Sequence, residues 1–234
     1  KDDYIAENYL RSSKFCGSSM DGFLQEFVEI SPNRLVKLPQ NIDRNVAAFT
    51  EIISVSVHAI TRFDKIAHAR RDVIGVWGDG NLGYITSLFL KYIFPESKIA
   101  VFGTNREKLN DFTFADETHL VNEVPDGFTM DHAFECVGGN GSPIAIEQII
   151  GLIKPESTLS ILGVSEYPVP INTRMILEKG IRMFGTSRSG VADFQKTVDM
   201  YVKHPEIIDY LGKMRMTSHQ FLAFLIHHIY KCFL

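Results

Sequence analysis

The sequence contains little cysteine and no excess of basic residues. Its 234 residues include three cysteines, Cys16, Cys136 and Cys232, which lie too far apart for a metal-knuckle spacing and whose odd number argues against a disulfide framework. The formal net charge of -4 gives a nucleic-acid partner no electrostatic support. No apolar run approaches the ~18 residues of a membrane helix, and no signal-peptide pattern opens the chain. We therefore expect a soluble, cytoplasmic protein that binds neither nucleic acid nor a membrane.

The residues that are present have an ordinary globular composition, with 45% hydrophobic and 22% charged. From residue 71 onward, short β-branched segments alternate with amphipathic ones, which predicts an α/β fold with a doubly wound parallel sheet of the Rossmann type. The predicted strands are residues 73–77, 98–102, 119–122, 131–136, 158–162 and 181–185, and the predicted helices are residues 82–94, 143–153, 191–203 and 221–233. Before them we expect strands at 23–30 and 34–38 and helices at 43–50, with Asp43 as N-cap, and 52–63.

A glycine-rich loop follows the first of the later strands and opens a helix. It reads Gly78-Asp79-Gly80-Asn81-Leu82-Gly83, the G-x-G-x-x-G pattern of dinucleotide-binding domains. In that pattern the first glycine permits a tight turn, the second lets the backbone approach a pyrophosphate, and the third lets helix and strand pack closely. Glycines also cluster in ordinary turns, but here strand, loop, helix and second strand occur in the required order. We expect these six residues to bind a nicotinamide dinucleotide.

The end of the second strand predicts which dinucleotide is bound. NAD-binding domains place an acidic residue there for the ribose 2′-hydroxyl. This chain has Gly103 at that position, followed by Thr104, Asn105 and Arg106, which supply donors for a 2′-phosphate instead. The sequence therefore favours NADPH over NADH. The alternative is an exposed helix start at which Arg106 and Lys108 are surface charges.

Several segments resemble the medium-chain, zinc-dependent alcohol and polyol dehydrogenases. These are residues 22–28, 36–39, 47–48 and 134–138, in this order. The resemblance implies that residues 1–50 are the C-terminal remnant of a GroES-like β domain, residues 51–190 a Rossmann NADP-binding domain, and residues 191–234 helices returning toward the catalytic domain. It also implies that the chain is a fragment of a protein of ~340 residues.

The same resemblance assigns a metal-binding and catalytic role to Glu51. It takes the position at which alcohol dehydrogenases carry their third zinc ligand, and a carboxylate can bind zinc or hold its water. The family's other ligands, a cysteine and a His-Glu pair, belong to a half that this chain lacks. Glu51 could instead be a glutamate that begins a surface helix. We expect His58 to be a packing residue rather than a ligand.

Four stretches resemble a subgroup of the family that reduces D-ribulose 5-phosphate to D-ribitol 5-phosphate for CDP-ribitol and teichoic-acid synthesis. They are residues 7–16, 50–60, 77–84 and 185–190. The implied reaction is hydride transfer from NADPH to the C2 ketone, with zinc polarising the carbonyl. Loops after the later strands should contact the nicotinamide end, because Rossmann ligands lie at the carboxyl ends of the strands. The candidates are Gly163, Val164, Ser165, Thr186 and Ser187.

A phosphorylated sugar substrate requires cationic donors, and Arg11, Lys14 and Arg188 are the candidates. Each could equally be an exposed loop charge, and Arg188 could contact the cofactor. We expect a homo-oligomer or a cytidylyltransferase partner. The alternatives are a dehydrogenase of an unphosphorylated polyol or alcohol and a non-catalytic NADP-binding relative.

Overall fold

Six parallel strands form one sheet in the computed structural model, which describes residues 7–17 and 19–214. The strands are β1 (Val73–Trp77), β2 (Lys98–Gly103), β3 (Glu117–Leu120), β4 (Met130–Glu135), β5 (Ile153–Ile161) and β6 (Arg182–Gly185). Their order is β3-β2-β1-β4-β5-β6, and each neighbouring pair is parallel. This order confirms the predicted Rossmann sheet, whose topology reverses between β1 and β4.

Helices cover both faces of this sheet. They are α1 (Arg44–Ala48), α2 (Thr50–Ile66), α3 (Asn81–Ile93), α4 (Arg106–Leu109), α5 (Ser142–Leu152), α6 (Thr173–Lys179), α7 (Val191–Lys203) and α8 (Glu206–Gly212), with 3-10 turns at Glu7–Tyr9, Pro32–Arg34 and Gly139–Gly141. Asp43 caps α1 as expected, because its carboxylate accepts from Asn45 N at 2.7 Å. The short helices α4, α6 and α8 were not predicted, and the predicted helix at 221–233 lies outside the described residues.

Two hydrophobic cores flank the sheet. One packs α2, α3 and α8 against β1 and β2, and the other packs α5 against the opposite face. Trp77, at the end of β1, is fully buried in the second core. Its ring stacks on that of Phe102 with centroids 3.8 Å apart, and its Nε1 donates to Gln148 Oε1 at 2.8 Å. The end of β1, which precedes the glycine loop, is therefore held from the side as well as by its neighbouring strands.

The strands predicted at residues 23–30 and 34–38 are not present. These residues are irregular apart from the turn Pro32–Arg34, and Phe23, Leu24 and Phe27 are 57%, 96% and 86% exposed. A strand is stabilised by hydrogen bonds to a neighbour. In the described part of the chain, the strand pairing of the segment before α1 is limited to an isolated β-bridge between Cys16 and Met20. The alternating pattern of apolar and polar residues was therefore insufficient to predict a strand.

No helix in residues 7–17 and 19–214 is both long enough and apolar enough to cross a membrane.

Candidate dinucleotide-binding site

The glycine loop lies directly after β1, and two of its glycines are required by close packing. Gly78 has a φ of +129°, and a Cβ there would lie 2.9 Å from Cys136 O. A Cβ on Gly83 would lie 1.9 Å from Gly78 O, so any side chain would separate α3 from the loop. A Cβ on Gly80 would meet nothing within 4 Å. The middle glycine therefore faces open space, as the approach of a phosphate group requires.

The N-terminus of α3 faces the same space. Gly80 is the N-cap and provides no side-chain cap to the helix. Helix α3 has 13 residues and starts at the carboxyl end of β1, beside the reversal of strand order. The first amides of such a helix, together with its dipole, favour an anion. Asn81 and Leu82 are thus placed where the sequence predicts that they bind phosphates.

A carboxylate does lie at the tip of β2, although neither Gly103 nor the three residues after it are acidic. Asp79, from the glycine loop, reaches across to the tip, where its Oδ2 accepts from Thr104 N at 2.7 Å, from Asn105 N at 2.8 Å and from Thr104 Oγ1 at 3.3 Å. A Cβ on Gly103 would lie 2.6 Å from Asp79 Cβ. The acid is therefore supplied by the first loop instead of by the second strand.

The remaining polar groups of the β2 tip are also engaged. Arg106 forms an ion pair with Glu123, in which both side chains are about half exposed. Asn105 caps α4, because its Oδ1 accepts from Lys108 N at 3.1 Å. The structure thus brings the predicted residues of the tip together with Asp79, which was predicted to bind the cofactor from the glycine loop, and it adds Glu123, which was not predicted.

A buried glutamate joins the loops that follow β4 and β5. Glu135 is fully buried, and its carboxylate accepts from Val137 N at 3.0 Å, Gly138 N at 2.9 Å and Gly163 N at 3.1 Å. A Cβ on Gly163 would lie 2.5 Å from Glu135 Oε1, so only glycine fits there. Glu135 was not predicted as a site residue. A carboxylate at the carboxyl end of a strand that is buried along its whole length is the signal that could have identified it.

The other residues predicted at the nicotinamide end lie in the loops that follow β5 and β6. Val164 is 63% exposed, and Ser165 Oγ donates to Gly139 O at 3.3 Å. Thr186 is buried just after β6, and its hydroxyl has no hydrogen-bond partner among the described residues. Ser187 N donates to Tyr9 OH at 3.2 Å, so the β6–α7 loop contacts the N-terminal segment.

His58 connects the N-terminal segment to α7. Its Nδ1 lies 3.0 Å from Asp193 Oδ2, and its Nε2 lies 3.1 Å from Tyr9 OH and 3.3 Å from Asn8 Nδ2. Burial raises the pKa of Asp193, but hydrogen bonds from His58 and from Gly190 N outweigh this effect and leave the pKa lowered. Both imidazole nitrogens of His58 are therefore used within the protein.

The three candidate substrate cations have different surroundings. The guanidinium carbon of Arg188 lies 3.8 Å from the ring centroid of Phe15, and its NH1 donates to Asn8 O at 3.4 Å. Lys14 lines a cleft of about 730 Å³, which the β6–α7 loop borders through Ser189 and Gly190. Arg11 is exposed and does not line this cleft.

Glu51 lies in the first turn of α2, where Ser54 Oγ donates to its carbonyl oxygen at 2.6 Å. The residue is exposed, and partial desolvation raises the pKa of its carboxyl. Among the described residues no group of three or more His, Cys, Asp and Glu side chains could hold a metal ion. Glu51 therefore belongs to no set of three or more such side chains in the described part of the chain.

The sheet order and the glycine loop define a Rossmann-type nucleotide-binding domain of the dehydrogenase kind. No protein-family model matches the chain. It is 54% identical over 209 residues to a ribulose-5-phosphate reductase of Bacillus spizizenii, covering 89% of this chain and 61% of that protein. It is 52% identical over 215 residues to ribulose-5-phosphate reductase 1 of Staphylococcus aureus, covering 92% and 63%. The chain thus spans about three fifths of the length of these relatives.

A crystal structure of Staphylococcus aureus TarJ in complex with NADPH matches with a TM-score of 0.80 and 48% identity, covering 86% of this chain and 65% of that one. These findings confirm the resemblance inferred from the sequence. Over the part that it spans, the chain is homologous to ribulose-5-phosphate reductases, and polyol dehydrogenases are its more distant relatives.

Proposed function

We propose that the chain is the cofactor-binding part of an NADPH-dependent reductase that converts D-ribulose 5-phosphate to D-ribitol 5-phosphate. The observation that carries the proposal is the open space over Gly80 at the N-terminus of α3. It occurs in a chain that is 48% identical to a protein crystallised with NADPH. The substrate follows from relatives named ribulose-5-phosphate reductase at 54% and 52% identity.

In this proposal the cofactor lies across the carboxyl edge of the sheet. The pyrophosphate contacts the amides of Asn81 and Leu82, because the dipole and the first amides of α3 favour an anion there. The 2′-phosphate lies at the β2 tip, beside Thr104, Asn105 and Arg106. The nicotinamide extends toward the loops after β5 and β6, which carry the candidate residues Gly163, Val164, Ser165, Thr186 and Ser187.

An apolar cleft beside the same edge suits the adenine end of the cofactor. Its volume is about 860 Å³. It is lined by residues that follow β3 and β5 and by the start of α5, among them Val121, Pro143, Ile144 and Ile171. Flat apolar rings bind in clefts of this size and character.

The chemistry is a two-electron reduction. The hydride leaves C4 of the dihydronicotinamide and bonds to C2 of the ketose, and a proton is added to the carbonyl oxygen, so that NADP⁺ and an alcohol result. The chain aligns the cofactor carbon with the ketone, which is the contribution that a protein makes in such reactions. The buried carboxylate of Glu135 holds the loops after β4 and β5 in place for this alignment. Lys14, Arg188 and Arg11 are the candidates for the substrate phosphate.

Zinc is part of the proposal through Glu51. When bound, zinc would act as a Lewis acid toward the carbonyl oxygen. A lone carboxylate cannot hold the ion, so the remaining ligands must come from residues other than those described. Replacing Glu51→Gln in the full-length protein should lower the zinc content measured by metal analysis, whereas an equal content would make Glu51 a helix residue only.

We propose that the reaction takes place in the cytoplasm, where NADPH is available for reductive biosynthesis. The product would supply CDP-ribitol and teichoic-acid synthesis through a cytidylyltransferase, and the protein would act as a homo-oligomer.

The experiment mixes the full-length protein with NADPH and D-ribulose 5-phosphate and follows the absorbance of the reduced nicotinamide. We expect a loss of absorbance that is much slower with NADH and much slower with unphosphorylated D-ribulose. Equal rates with and without the phosphate would favour a dehydrogenase of unphosphorylated polyols. Binding of NADPH without turnover of any polyol would favour a non-catalytic relative.

A further inference from the structure

The donors at the tip of β2 are already bound by carboxylates of this chain. Asp79 Oδ2 accepts from two backbone amides and one hydroxyl, and Glu123 pairs with Arg106. Each amide has one hydrogen to donate, so a second anion can use these amides only after Asp79 has released them. The tip is therefore a built anion site that is occupied from within.

We propose that Asp79 and Glu123 compete with the 2′-phosphate of the cofactor, and that Asp79 sets the preference between NADPH and NADH. The inference rests on the proposed function, because it concerns the same cofactor site. A 2′-phosphate carries two negative charges near neutral pH and is repelled by a carboxylate within a few ångströms. A 2′-hydroxyl is neutral and can donate to that carboxylate, as it does to the acid of NAD-binding domains. Asp79 in its observed position thus favours NADH, and its displacement favours NADPH.

The observed contacts also explain why a carboxylate is present at this tip. If neither a cofactor nor Asp79 bound them, Thr104 N and Asn105 N would face water. By accepting hydrogen bonds from both, Asp79 holds the turn in place. Its side chain fills the space into which a side chain at position 103 would project. The same carboxylate therefore orders the site and lowers its affinity for a phosphorylated ribose.

Glu123 makes a weaker contribution. Its ion pair with Arg106 is about half exposed, and exposed ion pairs contribute little to stability. A guanidinium binds a phosphate with two parallel hydrogen bonds, so a cofactor can take Arg106 from Glu123 easily. Removing the charge of Glu123 should have a smaller effect than removing that of Asp79.

The test measures binding of NADPH, NADH, adenosine 2′,5′-bisphosphate and adenosine 5′-monophosphate to the full-length protein by calorimetry. The variants are Asp79→Asn and Glu123→Gln, and the control is Asp199→Asn, an exposed residue of α7 whose carboxylate accepts from Gln195 on the same helix. We expect Asp79→Asn to tighten NADPH and the bisphosphate about 3- to 10-fold and to leave NADH and the monophosphate equal or weaker. Glu123→Gln should tighten NADPH about twofold, and the control should change neither. The gain for Asp79→Asn should shrink as salt is added.

Other outcomes would overturn the inference. Equal weakening of both cofactors would mean that Asp79 only shapes the turn, and selective weakening of NADPH would mean that it supports the phosphate site. Unchanged affinities for NADPH in both variants would also overturn it. If the wild-type protein binds neither cofactor, the proposed function itself fails, and that result is distinct from all of these.

Discussion

The carboxylate of Glu135, the last residue of β4, accepts a hydrogen bond from Gly163 N, just beyond the end of β5, at 3.1 Å. The same side chain accepts from Gly138 N at 2.9 Å. Two neighbouring strands are thus joined beyond their own ladder, at the edge where Rossmann ligands lie. The two loops should therefore move together or not at all.

The variant Glu135→Gln tests this connection between the two loops. The amide group leaves one acceptor oxygen where the carboxylate has two, and its NH₂ group meets a backbone N–H. Leaving a buried donor unpaired costs about 1–3 kcal/mol, and we expect a loss of stability in this range together with weaker NADPH binding. Urea unfolding measures the first and calorimetry the second. Glu96→Gln, an exposed residue between α3 and β2, is the matched control, and an equally stable E135Q protein would show that this connection has no role.

A side chain at Gly103 should disturb the β2 tip for two separable reasons. Gly103→Ala adds a Cβ that collides with the Cβ of Asp79, and because the glycine loop that also binds the pyrophosphate must then shift, it should reduce binding of NADPH and NADH alike. Gly103→Asp adds a second carboxylate as well, and it should reduce NADPH binding by about a further 10-fold relative to Gly103→Ala because of charge repulsion. Fluorescence titration with both cofactors gives the comparison. Identical cofactor ratios for the two variants would contradict the assignment of the 2′-phosphate to this tip.

The glycine loop predicts opposite outcomes for two similar substitutions. Gly83→Ala places a Cβ against Gly78 O, so the protein should lose several kcal/mol of stability or fail to fold. Gly80→Ala meets no atom within 4 Å, and the φ of this residue is -95°, which alanine adopts readily. That variant should unfold at nearly the wild-type temperature while it loses NADPH affinity by 10-fold or more. If G80A bound NADPH as the wild type does, the pyrophosphate would have to lie elsewhere.

His132 predicts a pH dependence of stability. Burial and the neighbouring His68 lower the pKa of His132 to about 4, and its Nδ1 accepts from Thr158 N at 3.1 Å. The fold favours the neutral ring, so the resulting stability is complete above the unfolded pKa near 6.5 and is lost as the pH falls toward 4. The free energy of unfolding of the wild type should fall between about pH 7.5 and about pH 5. In His132→Gln this fall should be smaller by on the order of 2 kcal/mol.

Urea unfolding at the two pH values measures this difference. His119→Gln is the control, because His119 pairs with Glu117 at a partly buried site on β3. A pH dependence equal to that of the wild type in H132Q would mean that another group governs acid unfolding.

The sequence predicted the parallel sheet because a local hydrophobic pattern marks each of its strands and the helices between them. Strand β1 and helix α7 have the predicted bounds, and helix α3 begins one residue earlier than expected. Strand β3 begins two residues earlier than predicted, and β5 begins at Ile153, where a helix was expected to end. Hydrophobic periodicity identifies an element better than it locates its ends.

The failures concern contacts between residues that are distant in sequence. The strands expected before α1 lack a partner in the described part of the chain, and no local pattern reveals that. Asp79 is 25 residues from Thr104, and Glu135 is 28 residues from Gly163. A comparison of residue types at the β2 tip alone could not show that the acid comes from the preceding loop.

Trp77 gives the molecule an optical property that follows from its position. It is the only tryptophan among the 234 residues, it is sealed from water between Phe102 and Gln148, and it immediately precedes Gly78. Its emission should be blue-shifted, and a reduced nicotinamide bound at the same edge of the sheet would quench it by energy transfer. A single fluorophore thus reports from the wall of the crevice itself, without any label.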